Sequence, residues 1–131
     1  MLRINTKIST SKVSGIGLFA ADFIPKGTIT WEYDPEFDVA FDEEAIKRIP
    51  TYVLGQFMKY SYYDYDLKKY ILCSDDQRFI NHSNEPNIIS TPRKDTAARD
   101  IQPGEELFCD YANYESDWFE RRGIDRKDFT V

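Results

Sequence analysis

Two strings in the second half of the chain combine reactive polar side chains with apolar neighbours. The first places Asn81, His82 and Ser83 directly after an apolar pair, so the apolar residues can anchor the segment while the polar groups face a pocket. The second ends the apolar run at residues 107–109 with an aspartate and Tyr111. Imidazole, hydroxyl and phenol groups can act as acids, bases or nucleophiles, and they are equally common as hydrogen-bonded core groups.

The residue types present argue against two common kinds of site. The chain has one histidine and two cysteines, too few for a four-ligand zinc site. A nucleophilic triad is disfavoured because His82 would have to serve Ser83 beside it, or a cysteine, without an orienting partner. A hydrogen-bonded structural histidine is the ordinary interpretation of His82. Cys73 and Cys109 lie in apolar runs and are predicted to be buried, reduced thiols.

A glycine pair near the N-terminus is the third feature. Gly15 and Gly17 flank Ile16, and the missing Cβ atoms allow positive φ and a close approach of backbone N–H groups to a ligand. The same residues also fit an ordinary tight hairpin. A dinucleotide-binding fold is not indicated, since no βαβ unit follows.

The hydrophobic pattern predicts the elements that must position these groups. Alternating or clustered β-formers predict strands at residues 2–8, 17–19, 29–33, 87–90 and 97–101, with a hairpin at 60–73. A short helix is predicted from the N-cap Asp42 to a point before Pro50, and a second over residues 51–60. A third helix should begin at the N-cap Ser116 and end at Gly123. Many short strands with few helices predict a mainly β domain.

Length and composition bound the class of protein. The 131 residues, 41% hydrophobic, fit one domain with a real core. The net charge of −6 argues against nucleic acid as the main ligand. It suits a basic partner, or it serves solubility alone. No run approaches the roughly 18 apolar residues of a membrane helix, and the N-terminus lacks a signal-peptide core. A soluble intracellular protein, cytoplasmic or nuclear, is expected; its oligomeric state stays open.

Four segments together resemble the SET-domain protein lysine methyltransferases. RFINHSNEPN and GEELFCDYANY resemble the two signature segments of that family, SKVSGIGLFAA its first cofactor segment and ITWEYDPEFD its second, all in family order. The resemblance implies a single SET domain over residues 1–131, with a core at about 5–114. It implies small curved sheets and a C-terminal pseudoknot that joins the signature segments, with the tail, 115–131, closing a lysine channel.

The resemblance also implies roles for individual residues. Tyr111 matches the catalytic tyrosine. S-adenosyl-L-methionine would be bound by Gly15, Ile16, Gly17, Tyr33, Asn81 and His82, with Lys12 as a weaker candidate. The substrate channel would be lined by Tyr60, Cys109, Tyr114 and Trp118. The implied reaction is methyl transfer to a lysine of a basic protein, such as a histone, with S-adenosyl-L-homocysteine as the product.

Some residues depart from the family pattern. Asn84 stands where many members have a zinc-binding cysteine, and the tail has no cysteine, so no zinc is expected. Cys109 stands where many members have Phe or Tyr, which predicts room for dimethyl or trimethyl products. Pro35 replaces a usual glycine and leaves peptide specificity open. Two alternatives stay open as well: a catalytically silent SET-like module that binds a basic peptide, and a β-rich interaction domain without a cofactor.

Overall fold

A computed structural model describes residues 1–129 and consists mostly of small β-sheets. The strands are β1 (Thr6–Thr10), β2 (Ile16–Ala20), β3 (Ile29–Glu32), β4 (Val39–Phe41), β5 (Ser61–Asp64), β6 (Lys69–Leu72), β7 (Asn81–His82), β8 (Ile88–Ser90), β9 (Lys94–Ala97) and β10 (Phe108–Cys109). The α-helices are α1 (Glu43–Lys47), α2 (Thr51–Tyr60) and α3 (Trp118–Arg122), and 3-10 turns cover Asp76–Phe79, Tyr111–Asn113 and Arg126–Phe129. The predicted mainly β fold with short helices is confirmed.

Strand pairing gives four small sheets within residues 1–129. β1 pairs with β2, β9 lies between β3 and β8, and β6 lies between β4 and β5, all antiparallel. The pair β7 and β10 is parallel, with Asn81 opposite Phe108 and His82 opposite Cys109. Parallel strands need a long connection, so this pair joins segments that are distant in sequence.

The first hairpin forms around the predicted glycine turn. The Ser11 N–H donates to the Gly15 carbonyl over 2.8 Å, and Gly15 has φ +48°, a region that glycine enters without strain. The predicted order of strand, turn and strand is confirmed. The first strand begins at Thr6 and not near Leu2, which makes an isolated bridge to Trp31.

Two of the three helices begin where the sequence predicts, and one of them has a side-chain cap. Asp42 caps α1 by accepting a hydrogen bond from the Ala45 N–H over 2.8 Å, and α2 covers its predicted range. The predicted N-cap at Ser116 is wrong, because α3 begins one residue later, after Asp117, with no side-chain cap. Burial of Trp118, 1% exposed, positions this helix instead. Gly123 ends it at φ +64°, as predicted.

The predicted strand at residues 97–101 is also wrong. β9 ends at Ala97, where that strand was expected to begin, and it includes Lys94 and Asp95, which resemble turn residues in the sequence. β9 is paired on both sides, and hydrogen bonding to two neighbouring strands overrides a low local β preference. Ile101 instead makes an isolated bridge to Ile24.

The core contains residues from both ends of the described chain. Its fully buried members include Leu18, Ile24, Ile88, Ile101, Leu107 and Trp118. Phe119 belongs to the same cluster, and the buried carboxylate of Glu115 pairs with Arg122. The described part of the tail therefore packs into the core.

Candidate functional site

The parallel pair β7 and β10 brings the two signature segments side by side. The Ser83 N–H donates to the Cys109 carbonyl over 3.0 Å. Asn87 holds the second segment from the other side, because its Nδ2 donates to the Glu106 carbonyl and its Oδ1 accepts from the Phe108 N–H, both over 2.8 Å. Sequence reasoning missed this role, since an asparagine after proline is also an ordinary turn residue.

His82 fixes the position of Tyr111. The Tyr111 N–H donates to His82 Nδ1 over 3.2 Å, so Nδ1 must carry the lone pair. The proton then lies on Nε2, which is 3.0 Å from the acceptor Asn84 Oδ1. Burial lowers the pKa of His82, and Asn84 and Asp110 offset this only in part. A neutral, fully engaged imidazole supports its interpretation as a structural residue.

The Tyr111 side chain is buried and held rigidly. Its hydroxyl donates to the Ile80 carbonyl over 2.6 Å, and its ring centroid lies 4.5 Å from that of Trp118. Burial raises the pKa of Tyr111 well above the ordinary range. At neutral pH this phenol is therefore a hydrogen-bond donor and not a phenolate base.

Tyr111 lines a narrow cavity of about 50 Å³ with aromatic walls. The four residues predicted to form the substrate channel all line it: Tyr60, Cys109, Tyr114 and Trp118. Tyr62 adds another ring, 5.3 Å from Tyr114 between centroids. Both cysteines are buried and free, as predicted, and burial raises the pKa of the Cys109 thiol. Aromatic faces of this kind pack well against alkyl chains.

The glycine turn is tied directly to the signature segments. Asn81 Nδ2 lies 3.0 Å from the Ser14 carbonyl and 3.2 Å from both the Ile16 carbonyl and Glu106 Oε1. A Cβ on Gly17 would overlap Glu106 Oε1 and lie 2.8 Å from its Cδ. A side chain at this position would therefore require the Glu106 carboxylate to move. The structure thus brings Asn81 and the predicted turn together.

Comparison with known families identifies this arrangement. The SET domain family matches residues 15–112, which run from the glycine turn to just beyond Tyr111. The chain belongs to the SET-domain family. The match confirms the resemblance seen in the four sequence segments.

Named relatives are histone-lysine N-methyltransferases. SETMAR of Rattus norvegicus is 31% identical over 130 residues, covering 85% of this chain and 40% of the relative. SETMAR of Bos taurus is 30% identical over 133 residues, covering 85% of this chain and 42% of the relative. The SET domain described here therefore spans about two fifths of the length of these curated relatives.

Solved structures agree on the fold. The Chaetomium thermophilum polycomb repressive complex 2 matches with a TM-score of 0.58 and 27% identity, over 82% of this chain and 15% of the solved chain. An apo form of ctPRC2 with two substitutions in Ezh2 matches with a TM-score of 0.66 and 25% identity, over 91% of this chain and 16% of the solved chain.

Tyr33 and Lys12 are the remaining predicted cofactor contacts of this SET domain. Tyr33 follows β3, and its N–H donates to the Arg93 carbonyl over 2.9 Å. Burial, with nearby Asp38, raises the pKa of Tyr33. Within residues 1–129, Tyr33 is not among the residues that line the cavity of Tyr111. Lys12 is exposed.

A different lysine approaches the turn. Lys59 Nζ, from α2, lies 3.7 Å from the place of a Cβ on Gly15 and 3.5 Å from Ser14 Oγ. Lys59 also lines the cavity. Its position follows from how α2 packs, which leaves no local signal in the sequence.

The cavity of the SET domain also contains a buried acid that sequence reasoning missed. Asp95 is 3% exposed and lines the cavity. Burial raises the pKa of Asp95 to about 7. Gln77 Nε2 donates to Asp95 Oδ2 over 2.7 Å and offsets part of this effect. In the sequence, Asp95 is part of a polar string typical of a turn.

Between residues 1 and 129, no group of three or more His, Cys, Asp or Glu side chains is placed to hold a metal ion. No helix in that range is long and apolar enough to span a membrane.

Proposed function

We propose that this SET domain transfers methyl groups from S-adenosyl-L-methionine to a lysine of a basic protein. One observation supports the proposal: β7 pairs with β10, Asn81 of β7 is hydrogen-bonded to the glycine turn, and Tyr111, two residues after β10, lines the aromatic cavity. The relatives named histone-lysine N-methyltransferases support a histone or another basic protein as substrate. The net charge of −6 suits such a partner.

The residues around the glycine turn fit the amino-acid end of the cofactor. Gly17 keeps the backbone open where a Cβ would collide. Lys59, beside Gly15, offers a cation to the cofactor carboxylate. Asn81 holds the turn, including Ile16, in place. When bound, the cofactor supplies a methyl group on a positively charged sulfonium. Tyr33 is the assigned contact with the least support, because within residues 1–129 it does not line the cavity of Tyr111.

The cavity must present a neutral amine. A lysine with a pKa of about 10.4 costs roughly 4 to 5 kcal/mol to deprotonate at neutral pH. Aromatic walls from Tyr60, Tyr114 and Trp118 exclude water and thereby disfavour the charged ammonium. The Tyr111 hydroxyl, held by the Ile80 carbonyl, provides a fixed polar group that orients the amine.

Incubation with labelled S-adenosyl-L-methionine and a panel of basic proteins, including histones, tests the proposal. We expect label to enter lysine side chains of at least one protein. Saturating S-adenosyl-L-homocysteine should also raise stability, by about 2.7 kcal/mol at one hundred times its dissociation constant. Absence of both cofactor binding and transfer would contradict the proposal.

A catalytically silent SET module gives a different pattern. In the structure, three acceptors within the protein already surround Asn81 Nδ2, which suits a purely structural asparagine. A silent module would bind a basic peptide without transferring label, whether or not S-adenosyl-L-homocysteine binds. Peptide binding measured beside transfer separates the two functions.

A further inference from the structure

The cavity has an acidic group that the scheme above does not use. Asp95 lies on β9, the central strand of its sheet, and is only 3% exposed to solvent. Its side-chain hydrogen bond from Gln77 is made to Oδ2. Within residues 1–129, no Lys or Arg side chain forms an ion pair with it. Burying a charged carboxyl without a cationic partner costs free energy. Carboxyls in such surroundings are frequent at functional sites.

The groups around Asp95 are incompletely paired. Strand register places Trp31 on one side of it and Ser90 on the other, and residues directly opposite in antiparallel strands share a face. Trp31 Nε1 and Ser61 Oγ, which both belong to residues lining the cavity, are buried without a hydrogen-bond partner within residues 1–129. A side-chain hydrogen bond from Ser90 lowers the pKa of Asp95 and offsets part of the effect of burial. Buried polar atoms are normally satisfied, so this cluster indicates a polar ligand.

The chemistry of the walls defines that ligand. A carboxylate attracts a cation that has N–H donors, a serine hydroxyl can accept a further N–H, and aromatic faces favour the attached alkyl chain. We propose that Asp95 is a catalytic residue that binds the ε-ammonium of the substrate lysine and receives its proton. This inference rests on the proposed methyl-transfer function, and it names the group that solves the deprotonation problem.

The proton transfer involves only the lysine ammonium and the Asp95 carboxylate. One N–H bond of the ammonium breaks, an O–H bond forms on Asp95, and the electron pair stays on nitrogen. A carboxyl with a pKa of about 7 is a better proton acceptor than an ordinary aspartate. Five other titratable groups on the cavity stay protonated near neutrality because burial raises their pKa: Tyr62, Cys73, Cys109, Tyr111 and Tyr114. The cations on the same cavity are Lys59 and Arg78.

A small probe tests binding without depending on methyl transfer. Titration of the full chain with n-butylammonium at about pH 8 can be followed by NMR through the Trp31 indole N–H and the Gln77 side-chain amide. We expect Asp95→Asn to weaken this binding at least tenfold and to leave butan-1-ol binding unchanged. In the wild type, binding should also weaken as the pH falls to about 5.5. This arm needs no variant, so it holds even if Asp95→Asn folds poorly.

Transfer assays test the proton step. For wild type, kcat/KM should rise with pH through about 7. Asp95→Asn should lower kcat/KM at least tenfold and remove that rise, with unchanged affinity for S-adenosyl-L-homocysteine. Equal n-butylammonium binding in both proteins, or an unchanged pH profile of kcat/KM, overturns the inference. If wild type transfers no label but n-butylammonium binding still depends on Asp95, the methyl-transfer proposal fails while the ammonium site stands.

Discussion

Replacing Asp95 with Asn should make stability less sensitive to alkaline pH. Burial raises the pKa of Asp95 from 3.8 to about 7. Because the folded-state pKa is raised, the contribution of this group is fully present below the unfolded value and is lost as the pH rises through about 7. About two pH units separate pH 5 from the folded pKa. At about 1.36 kcal/mol per unit, wild type should lose about 2.7 kcal/mol from this group between about pH 5 and pH 8.

Urea unfolding of both proteins at these two pH values measures the effect. Asparagine does not titrate, and the effects of groups common to both proteins cancel when the pH-dependent change of one protein is subtracted from that of the other. In this double difference, the free energy of unfolding of the variant should gain about 2.7 kcal/mol over wild type on going from about pH 5 to pH 8. Asp66→Asn is the matched control, since the Asp66 side chain is 79% exposed, and its double difference should stay below about 0.5 kcal/mol. A value for Asp95→Asn as small as that of the control would refute the reasoning that burial perturbs this carboxyl.

Three further predictions concern the proposed reaction. Tyr111→Phe should lower the rate of methyl transfer at least about a hundredfold, which corresponds to about 2.7 kcal/mol of transition-state stabilisation. It should also cost about 1 to 3 kcal/mol of stability, because the Ile80 carbonyl loses its donor; unchanged turnover at full cofactor saturation would clear Tyr111 of its role. Gly17→Ala should force the Glu106 side chain aside and lower the affinity for S-adenosyl-L-homocysteine, measured by calorimetry, at least tenfold with the fold retained. Equal affinity in the two proteins would count against the assigned site. Wild type should form dimethyl or trimethyl lysine by mass spectrometry, whereas Cys109→Tyr should shift products toward fewer methyl groups if the core accepts the ring; a strict stop of wild type at monomethyl lysine contradicts this.

Local chemistry explains what could be predicted from the sequence about the fold. The glycine turn depends on the conformational freedom of Gly15, and the start of α1 depends on Asp42, which bonds to a backbone group three residues away. Both signals act within one turn of chain, so they can be identified from a few adjacent residues. The order of the four family segments also allowed the SET fold and the candidate site residues Tyr111 and Asn81 to be predicted.

Tertiary structure decided features that depend on distant segments. Asp95 looks like a turn residue until β3 and β8 pair on either side of it and bury it. Lys59 reaches Gly15 only because α2 packs near the first hairpin. The start of α3 follows burial of Trp118 and not a cap at Ser116. In each case hydrogen bonding or burial by residues far away in the sequence outweighs the local preference, and no short pattern records it.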